Sequence, residues 1–526
     1  MIILSLYPLI NKINNKELIM NNKHNFIINL GRICAVLVIL VAFSCKEDAL
    51  DDHYGQEDQR LESTILEALA ADANYSTFLE LVKQTGFEEL LSSSQAFTIW
   101  APSNEALSLV SADVLNDPDA LTQLIGNHIS RFSYGSTINE TPVFVKMLND
   151  KYIEFSNVDG QVAFGDVDLL EADLLTSNGI LHKVSSVLSV KPNIWGFLND
   201  NVEEFPVLME YFSQYNEVLF DEARSVKTGT NTLGQTVYDS IFSASNTQFK
   251  TIGDLSSEED RFTFIGLGDD AYTGIYDRFK EYYKFPIEDS VKSNTDRTIF
   301  SNLTFPAFEQ ADLDGSLLLN TVGNFVTLDA GSITDNEALS NGNVLLVSDL
   351  NYTPENVMYK AVGYEVEDNK RRTIGDLSDF TVVQNFDRTA SGSFTNTVSL
   401  LANPDASNSN NYFEVAFSNV LSASYNIQLR FTPVGASQET KLRFEFSYTD
   451  ADKNVIVHEI GPLIVSNLED GVIPIGDTYD IPVFINEEVD NEYFVKLKVI
   501  VDVSEPELLL YDRKFGLDFI VLTPVE

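Results

Sequence analysis

Two stretches decide the fold of this sequence: Phe97-Thr-Ile-Trp-Ala-Pro-Ser-Asn-Glu-Ala-Leu107 and Asn178-Gly-Ile-Leu-His-Lys-Val-Ser-Ser-Val-Leu188. The first predicts a buried strand that Pro102-Ser103 turns into a short helix. Upstream, Thr64 and Glu67 have the spacing of a capping box, which predicts the start of a helix. The chain from about residue 58 therefore predicts a compact α+β domain.

These two stretches resemble the opening motif "tvFAPtneAf" and the closing motif "NGviHvidkVL" of fasciclin domains. On that resemblance we assign residues 58–191 to a fasciclin-like domain. A divergent second copy is indicated because Arg261–Tyr272 and Ser340–Leu350 resemble the same two motifs in the same order. We assign this second copy to residues 192–370, including an insertion before its first motif.

The resemblance implies adhesion to cells, matrix or polysaccharide. Some fasciclin domains use a Tyr-His pair in their central helix for receptor binding, and Asn127-His128 stands at that place here. His128 is therefore the candidate binding residue. The alternative is that it packs on the apolar helix face of Leu121, Leu124 and Ile125, and this interpretation is favoured. His182 belongs to a strand motif, so packing is favoured for it as well.

Residues 371–526 follow a different pattern, in which apolar and polar side chains alternate along short segments. Examples are Tyr425–Phe431, Leu442–Tyr448 and Phe515–Val521. Such alternation predicts antiparallel strands with one buried face, and hence an all-β sandwich that weakly resembles jelly-roll carbohydrate-binding modules. Trp100 and Trp195 both lie outside this segment, so tyrosines such as Tyr412 or Tyr479 would have to stack on a sugar.

The composition bounds both the number of domains and the type of partner. With 526 residues the chain is too long for one core, and two to four domains are expected. Its 79 acidic and 34 basic residues give a net charge of −45. Binding to nucleic acid depends on Lys and Arg meeting phosphates, so we exclude nucleic acid as a partner.

Residues 1–44 predict a signal peptide, and Met20 is an alternative start of translation. Basic residues precede an apolar run, Ile33–Phe43, of 11 residues, whereas a helix that crosses a bilayer needs about 20. Ala42-Phe43-Ser44-Cys45 resembles the lipobox of bacterial lipoproteins, which implies lipid attachment at Cys45; the alternative is a core cysteine by chance. Cys34 and Cys45 are the two cysteines of the chain, so a disulfide framework is excluded.

Residues 45–57 form an acidic tether. Lys46-Glu47-Asp48 and Asp51-Asp52 resemble the surface-export signal of Bacteroidetes lipoproteins. We therefore expect a protein that is lipid-anchored to the outer membrane and faces the cell exterior, with the periplasmic face as the alternative. The membrane is contacted through the lipid anchor.

The sequence carries no catalytic signature, so we expect neither an enzyme nor a cofactor. Its five histidines do not pair at metal-ligand spacing, and no nucleophile elbow, phosphate loop or dinucleotide fingerprint occurs. Asp450–Asn454 resembles the start of a calcium loop, but Val455 replaces the glycine of such loops, so we predict a hairpin turn.

Two functions from different classes stay open. The first is an adhesive surface lipoprotein that binds polysaccharide, matrix or a cell-surface protein. The second is a structural accessory subunit of an outer-membrane glycan-uptake complex. An exposed aromatic patch on the last domain would favour the first function, whereas an exposed aliphatic patch without aromatic clefts would favour the second.

Overall fold

The computed structural model describes residues 63–525, except 138–141, 159, 309–312, 314, 367, 369, 376–379, 389–394, 403–411, 435–437 and 487–491. The chain divides into two compact units. The first comprises residues up to Asn149 together with Ile153–Ser189. The second comprises Asp150–Tyr152 and the chain from Val190 onward. Each unit is described by itself below.

The first unit begins with helices and ends with strands. The predicted capping box is confirmed, since the Thr64 hydroxyl accepts from the Glu67 amide and the Glu67 carboxylate accepts from the Thr64 amide. The helices are α1 (Ile65–Ala71), α2 (Ser76–Gln84), α3 (Phe87–Leu91), α4 (Asn104–Leu107), α5 (Ala112–Asn116) and α6 (Pro118–Gly126). The strands are β1 (Phe97–Pro102), β2 (Ile129–Arg131), β3 (Val143–Lys146), β4 (Tyr152–Val158), β5 (Gln161–Phe164), β6 (Val167–Thr176) and β7 (Gly179–Val184).

The two stretches that opened the sequence analysis supply the centre of the sheet. Its strand order is β2-β1-β7-β6-β5-β4-β3, and β1 runs parallel to β7 with Phe97 opposite Gly179. Every residue of β1 is buried, as expected for a strand covered on both faces. Gly179 has φ +150°, and a Cβ there would lie 1.9 Å from the Phe97 carbonyl oxygen, so glycine is required at this position.

The second unit opens with a helical and stranded segment, residues 194–357. Its helices are α7 (Ile194–Asp200), α8 (Pro206–Ser213), α9 (Phe249–Ile252), α10 (Asp269–Phe279), α11 (Glu288–Ser301) and α12 (Pro354–Val357). Its strands are β8 (Asn216–Thr230), β9 (Thr236–Asn246), β10 (Phe262–Leu267), β11 (Thr304–Pro306), β12 (Leu318–Leu319), β13 (Phe325–Val326), β14 (Ile333–Leu339) and β15 (Gly342–Val347). The central sheet has the order β11-β10-β15-β14.

This segment repeats the central pairing of the first unit in register. β10 runs parallel to β15 with Phe262 opposite Gly342, just as Phe97 lies opposite Gly179. A Cβ on Gly342 would lie 1.8 Å from the Phe262 carbonyl oxygen, so the same close approach recurs. Because strand order and register agree at both sites, two tandem fasciclin-like folds are present.

The remaining strands form the antiparallel sandwich that alternation predicted. They are β16 (Val362–Glu365), β17 (Arg372–Ile374), β18 (Phe380–Arg388), β19 (Thr395–Ala402), β20 (Tyr412–Phe417), β21 (Ser424–Thr432), β22 (Thr440–Thr449), β23 (Val455–Val465), β24 (Gly471–Asp480), β25 (Val495–Val501) and β26 (Lys514–Val525). One sheet has the order β18-β19-β26-β21-β24, and the other β17-β20-β25-β22-β23. Apolar residues of both sheets share one core, including Leu429, Phe446 and Leu497.

The sandwich takes one strand from before the predicted boundary at residue 370. β16 pairs with β26, with Tyr364 opposite Ile520, and Tyr364 and Val366 lie in the sandwich core. Conversely, Leu421 and Phe484 of the sandwich segment pack into the core of the preceding fold. The proposed domain boundaries stay predictions. Near residue 370, β16 from the second copy joins a sheet of the sandwich, and side chains of the sandwich segment pack into the core of the second copy.

Candidate functional site

The residue predicted to carry lipid, Cys45, lies outside the described residues, as do the apolar run before it and the acidic tether after it. Lipid attachment therefore stays a prediction. Within residues 63–525 and apart from the undescribed gaps, none of the helices combines the length and apolar content needed to cross a membrane.

His128, the candidate binding residue, is buried at the end of α6, with 1% of its surface exposed. Its Nε2 accepts a hydrogen bond from the Leu188 amide at 3.0 Å. Nδ1 must therefore carry the proton, and it donates to the Leu124 carbonyl at 2.9 Å. The ring also meets Phe78 edge-on, with centroids 6.1 Å apart. Both nitrogens are thus occupied by backbone groups inside the domain.

Burial lowers the pKa of His128 to about 4, and the hydrogen bond to Leu124 only partly opposes this shift. The imidazole is therefore neutral at physiological pH and has no surface to present to a receptor. This geometry is the one that the packing interpretation predicts. A binding role for His128 stays an untested prediction that the burial does not support.

His182 is equally enclosed. Its Nε2 donates to the Tyr134 carbonyl at 2.8 Å, its Nδ1 accepts from the Asp173 amide, and its ring stacks on Trp100. Burial lowers its pKa as well. Among the described residues, no group of three or more His, Cys, Asp or Glu side chains is placed to hold a metal ion.

The calcium-like segment is the hairpin turn that was predicted. It joins β22 to β23, and the Asp450 carboxylate accepts from the Asp452 and Asn454 amides at 2.9 and 2.8 Å. The Asn454 side chain also donates to this carboxylate and lowers the pKa of Asp450 most, and the two backbone amides lower it further. The carboxylate thus stabilises the turn itself.

The sandwich does not present an open aromatic ring where the sequence suggested one. Tyr479 is buried, and its hydroxyl accepts from the Asp477 amide. Tyr412 is half-buried, and the Lys498 ammonium lies 4.3 Å from its ring centroid, so one ring face is occupied by a cation. Among described residues, the exposed large apolar side chains of the sandwich are aliphatic: Val455, Val457, Ile464, Leu468, Val472, Leu509 and Leu510.

Among the described residues, Phe132, Phe144 and Phe325 are exposed singly, whereas two further exposed aromatic rings lie together on the insertion of the second fold. β8 and β9 form a two-stranded sheet, which we call the arm. Most of the described side chains of the arm are exposed, including large apolar ones on both of its faces. An isolated hairpin is marginally stable in water, and an exposed apolar surface of this kind typically marks an interaction site.

Three rings cluster on one face of the arm. Phe220 lies directly opposite Phe242, with centroids 6.0 Å apart, and Tyr238 lies 5.2 Å from Phe220. Successive side chains of a strand point to opposite faces, so Leu219 and Ile241 lie on the other face. The rings meet at 67° and 68°, so together they do not form a flat platform.

The base of the arm is fixed by a buried asparagine. The Asn246 amide donates to the Phe212 carbonyl at 2.8 Å and to the Asn216 side chain at 2.9 Å. At the tip, the Asn231 side chain accepts from the Leu233 and Gln235 amides. The sequence predicted this insertion but not that its side chains are exposed, because alternation alone does not reveal whether another sheet covers a strand.

Comparison with known proteins identifies the first fold. The Fasciclin domain family matches residues 73–190, so this part of the chain is a fasciclin domain. The transforming growth factor-beta-induced protein ig-h3 of Sus scrofa is 24% identical over 134 residues, which are 25% of this chain. The match covers 20% of that relative, so the chain spans only a small part of its length.

Two solved structures are similar over larger parts of the chain. A fasciclin domain pair from the insect cell adhesion molecule Fasciclin I is 15% identical, covers 54% of this chain and 99% of its own, and has a TM-score of 0.22. A xylan-binding module from Paenibacillus barcinonensis is 11% identical, covers 32% and 96%, and has a TM-score of 0.23. The two tandem folds are defined by the strand order and register of their central sheets.

Proposed function

We propose that this protein is a non-catalytic lipoprotein of the Bacteroidetes type, displayed on the cell surface, whose tandem fasciclin domains attach it to an external partner. The second copy, residues 192–370, is a divergent member of the same family in this proposal. The partner classes are polysaccharide, matrix and cell-surface protein. The fasciclin domain at residues 73–190 supports an adhesive role, because adhesion is the activity its family implies.

The single observation that carries the proposal is the exposed arm. It exposes Phe220 and Phe242 to water, with the half-buried Tyr238 beside them, and apolar surface in water is unfavourable unless a partner covers it. Aromatic residues dominate the energetics of protein interfaces. Because the rings meet edge-to-face, they suit insertion among protein side chains better than stacking on a flat sugar ring. The arm is therefore proposed to contact a matrix or cell-surface protein.

The test removes the rings and keeps the strands. The double variant Phe220→Thr/Phe242→Thr retains β propensity and should bind extracellular matrix or whole cells at least about tenfold more weakly than the wild type. The matched control, Leu219→Thr/Ile241→Thr, changes the opposite face of the same strands and should bind like the wild type. Equal binding by all three proteins would refute the role of the aromatic face.

A specific observation favours the second candidate function, an accessory subunit of an outer-membrane uptake complex. The exposed apolar residues of the sandwich are aliphatic, and Val455, Val457 and Ile464 lie on β23, which ends its sheet. An edge strand presents unpaired backbone groups that another chain can pair with. Co-purification of the lipidated protein with an outer-membrane transporter, lost in Val455→Lys/Val457→Lys, would support this function over adhesion.

A further inference from the structure

A cavity of about 420 Å³ lies within the second unit, where the end of the second fold meets the sandwich. Its floor is apolar and aromatic, with Val357, Phe417 and Phe484 buried and the Tyr283 ring beside them. Pockets for small ligands usually measure about 300–1,000 Å³ and combine an apolar lining with a few polar groups. The size and floor of this cavity therefore suit a ligand of one or two sugar rings.

The charged side chains that line the cavity are all basic. They are Arg297, Lys360 and Arg371, and no Asp or Glu stands among the described lining residues. Acidic residues outnumber basic ones 79 to 34 in the whole chain, so a random surface patch of this size would carry more carboxylates than cations. The lining of the cavity is thus positively charged, whereas the chain as a whole carries a net negative charge.

Contacts within the fold hold two of these cations in place. Arg297 lies on α11 and donates to the Asn294 side chain at 2.9 Å. Arg371 follows β16 and donates to the Ser418 hydroxyl. Arg297 and Tyr283 line the same cavity. Burial raises the pKa of Tyr283, and the hydrogen bond with Thr298 and the charge of Arg297 oppose that rise. The Arg297 guanidinium carries five N–H bonds, so the bond to Asn294 does not exhaust its donors.

Gly363 is an exposed residue in the lining of the cavity. It lies on β16 opposite Val521, and a Cβ built there would meet no atom within 4 Å. Its φ is outside the left-handed region, so a larger side chain can be placed there without backbone strain. The chain therefore offers a lining position at which a bulky side chain can be added without straining the strand.

We propose that this cavity binds a carboxylated sugar unit, a uronate, of an acidic polysaccharide. Guanidinium groups match carboxylates in a planar, paired geometry, whereas the apolar floor suits the less polar face of a ring. The choice of a sugar rests on polysaccharide being one of the partner classes of the proposed function. The preference for a negatively charged sugar rests on the basic side chains of Arg297, Lys360 and Arg371.

The experiment measures binding to the full mature chain, residues 45–526, by calorimetry at low ionic strength. The probes are digalacturonate, its uncharged methyl ester and a sulfated digalactose. Digalacturonate should bind about tenfold more tightly than the ester, because a hydrogen-bonded charge contributes a factor of that size. The double variant Arg297→Gln/Lys360→Gln should lose about the same factor. Gly363→Tyr adds a bulky side chain to the lining of the cavity and should weaken binding of digalacturonate.

A matched control separates site binding from general attraction. Lys227→Gln/Lys250→Gln removes two exposed cations outside the cavity and should leave affinity for digalacturonate unchanged. Absence of digalacturonate binding, equal affinity for acid and ester, equal losses in both double variants or tighter binding of the sulfated sugar would each overturn the proposal. Phe220→Thr/Phe242→Thr should bind digalacturonate normally, so a failure of the arm and a failure of the cavity are distinguishable.

Discussion

At the scale of single residues, polar side chains that bind backbone groups organise both fasciclin-like folds. The Asn178 side chain accepts from the Ile65 amide and donates to the Leu91 carbonyl, each at 2.8 Å. Asn341 repeats these contacts with the Ile194 amide and the Leu255 carbonyl. Each asparagine therefore ties the first helix of its fold to the closing strand. The Asn-Gly pairs in the two closing motifs thus have a structural explanation.

The central histidine of the first fold gives a prediction about stability. His128→Ala removes the ring that forms hydrogen bonds with the Leu188 amide and the Leu124 carbonyl. Both backbone groups stay buried and lose these hydrogen bonds. We expect the free energy of unfolding to fall by about 2–3 kcal/mol, with binding to cells unchanged once folded. His458→Ala is the control, since His458 is only half-buried. A stable His128→Ala protein that no longer binds would instead establish a receptor-binding role.

The same histidine makes stability depend on pH. Its pKa falls from 6.5 to about 4 on folding, so the unfolded chain binds the proton more readily between these values. Its contribution is therefore fully present above about pH 6.5 and is lost as pH falls towards 4. Denaturant titrations from pH 7 to 4 should show a steeper loss of stability in the wild type than in His128→Ala. Parallel curves would contradict the assignment.

The glycine of the closing motif gives a second prediction. Gly179→Ala would place a methyl group 1.9 Å from a backbone oxygen of β1, so we expect a loss of more than about 4 kcal/mol or failure to fold. Gly160→Ala is the matched control: Gly160 also has a positive φ, +87°, but open space around it. That variant should lose only about 1 kcal/mol. Similar melting temperatures for the two variants would mean that β1 and β7 approach less closely.

At the scale of elements, strands with clear alternation were predictable from the sequence, whereas the surfaces that pack against each strand were not. The patterns at residues 425–431, 442–448 and 515–521 fall within β21, β22 and β26, because one face of each strand is buried. The exposure of the arm was not predictable, since period-two alternation is the same in a covered strand and a free one. The cavity was not predictable either, because Arg297 and Arg371 are brought together only by tertiary folding.

β16 gives a prediction about the sandwich as an independent fold. The fragment 371–526 should unfold cooperatively, since it supplies most of both sheets. The longer fragment 360–526 adds β16 with the buried Tyr364 and Val366, each of which stabilises by about 1.5–3 kcal/mol. It should therefore melt at a higher temperature by calorimetry. Equal melting temperatures would show that β16 belongs energetically to the preceding fold.

At the scale of the whole molecule, a net charge of −45 favours solubility and separation from other acidic surfaces. The proposed attachment to a membrane would then depend on the lipid predicted on Cys45. Multiple acyl chains give stable attachment, whereas one chain gives only marginal binding.

Processing and location can be tested together. Mass spectrometry of the mature N-terminus should find acyl chains on Cys45, and Cys45→Ala should release the protein from the membrane fraction. Protease added to intact cells should digest the wild-type protein if it faces the exterior. Protection in intact cells with digestion after lysis would place it on the periplasmic face instead.

The central claim is that this protein binds its partner without chemically altering it, and one measurement addresses that claim directly. The mature chain is incubated with a panel of neutral and acidic polysaccharides, and the retention of the protein and the length of the polysaccharide are both followed by size-exclusion chromatography. We predict retention on at least one acidic polysaccharide whose chain length stays constant over time. Progressive shortening of that polysaccharide would contradict the account, whereas the absence of retention on every acidic member of the panel would overturn the assignment of the cavity to a uronate.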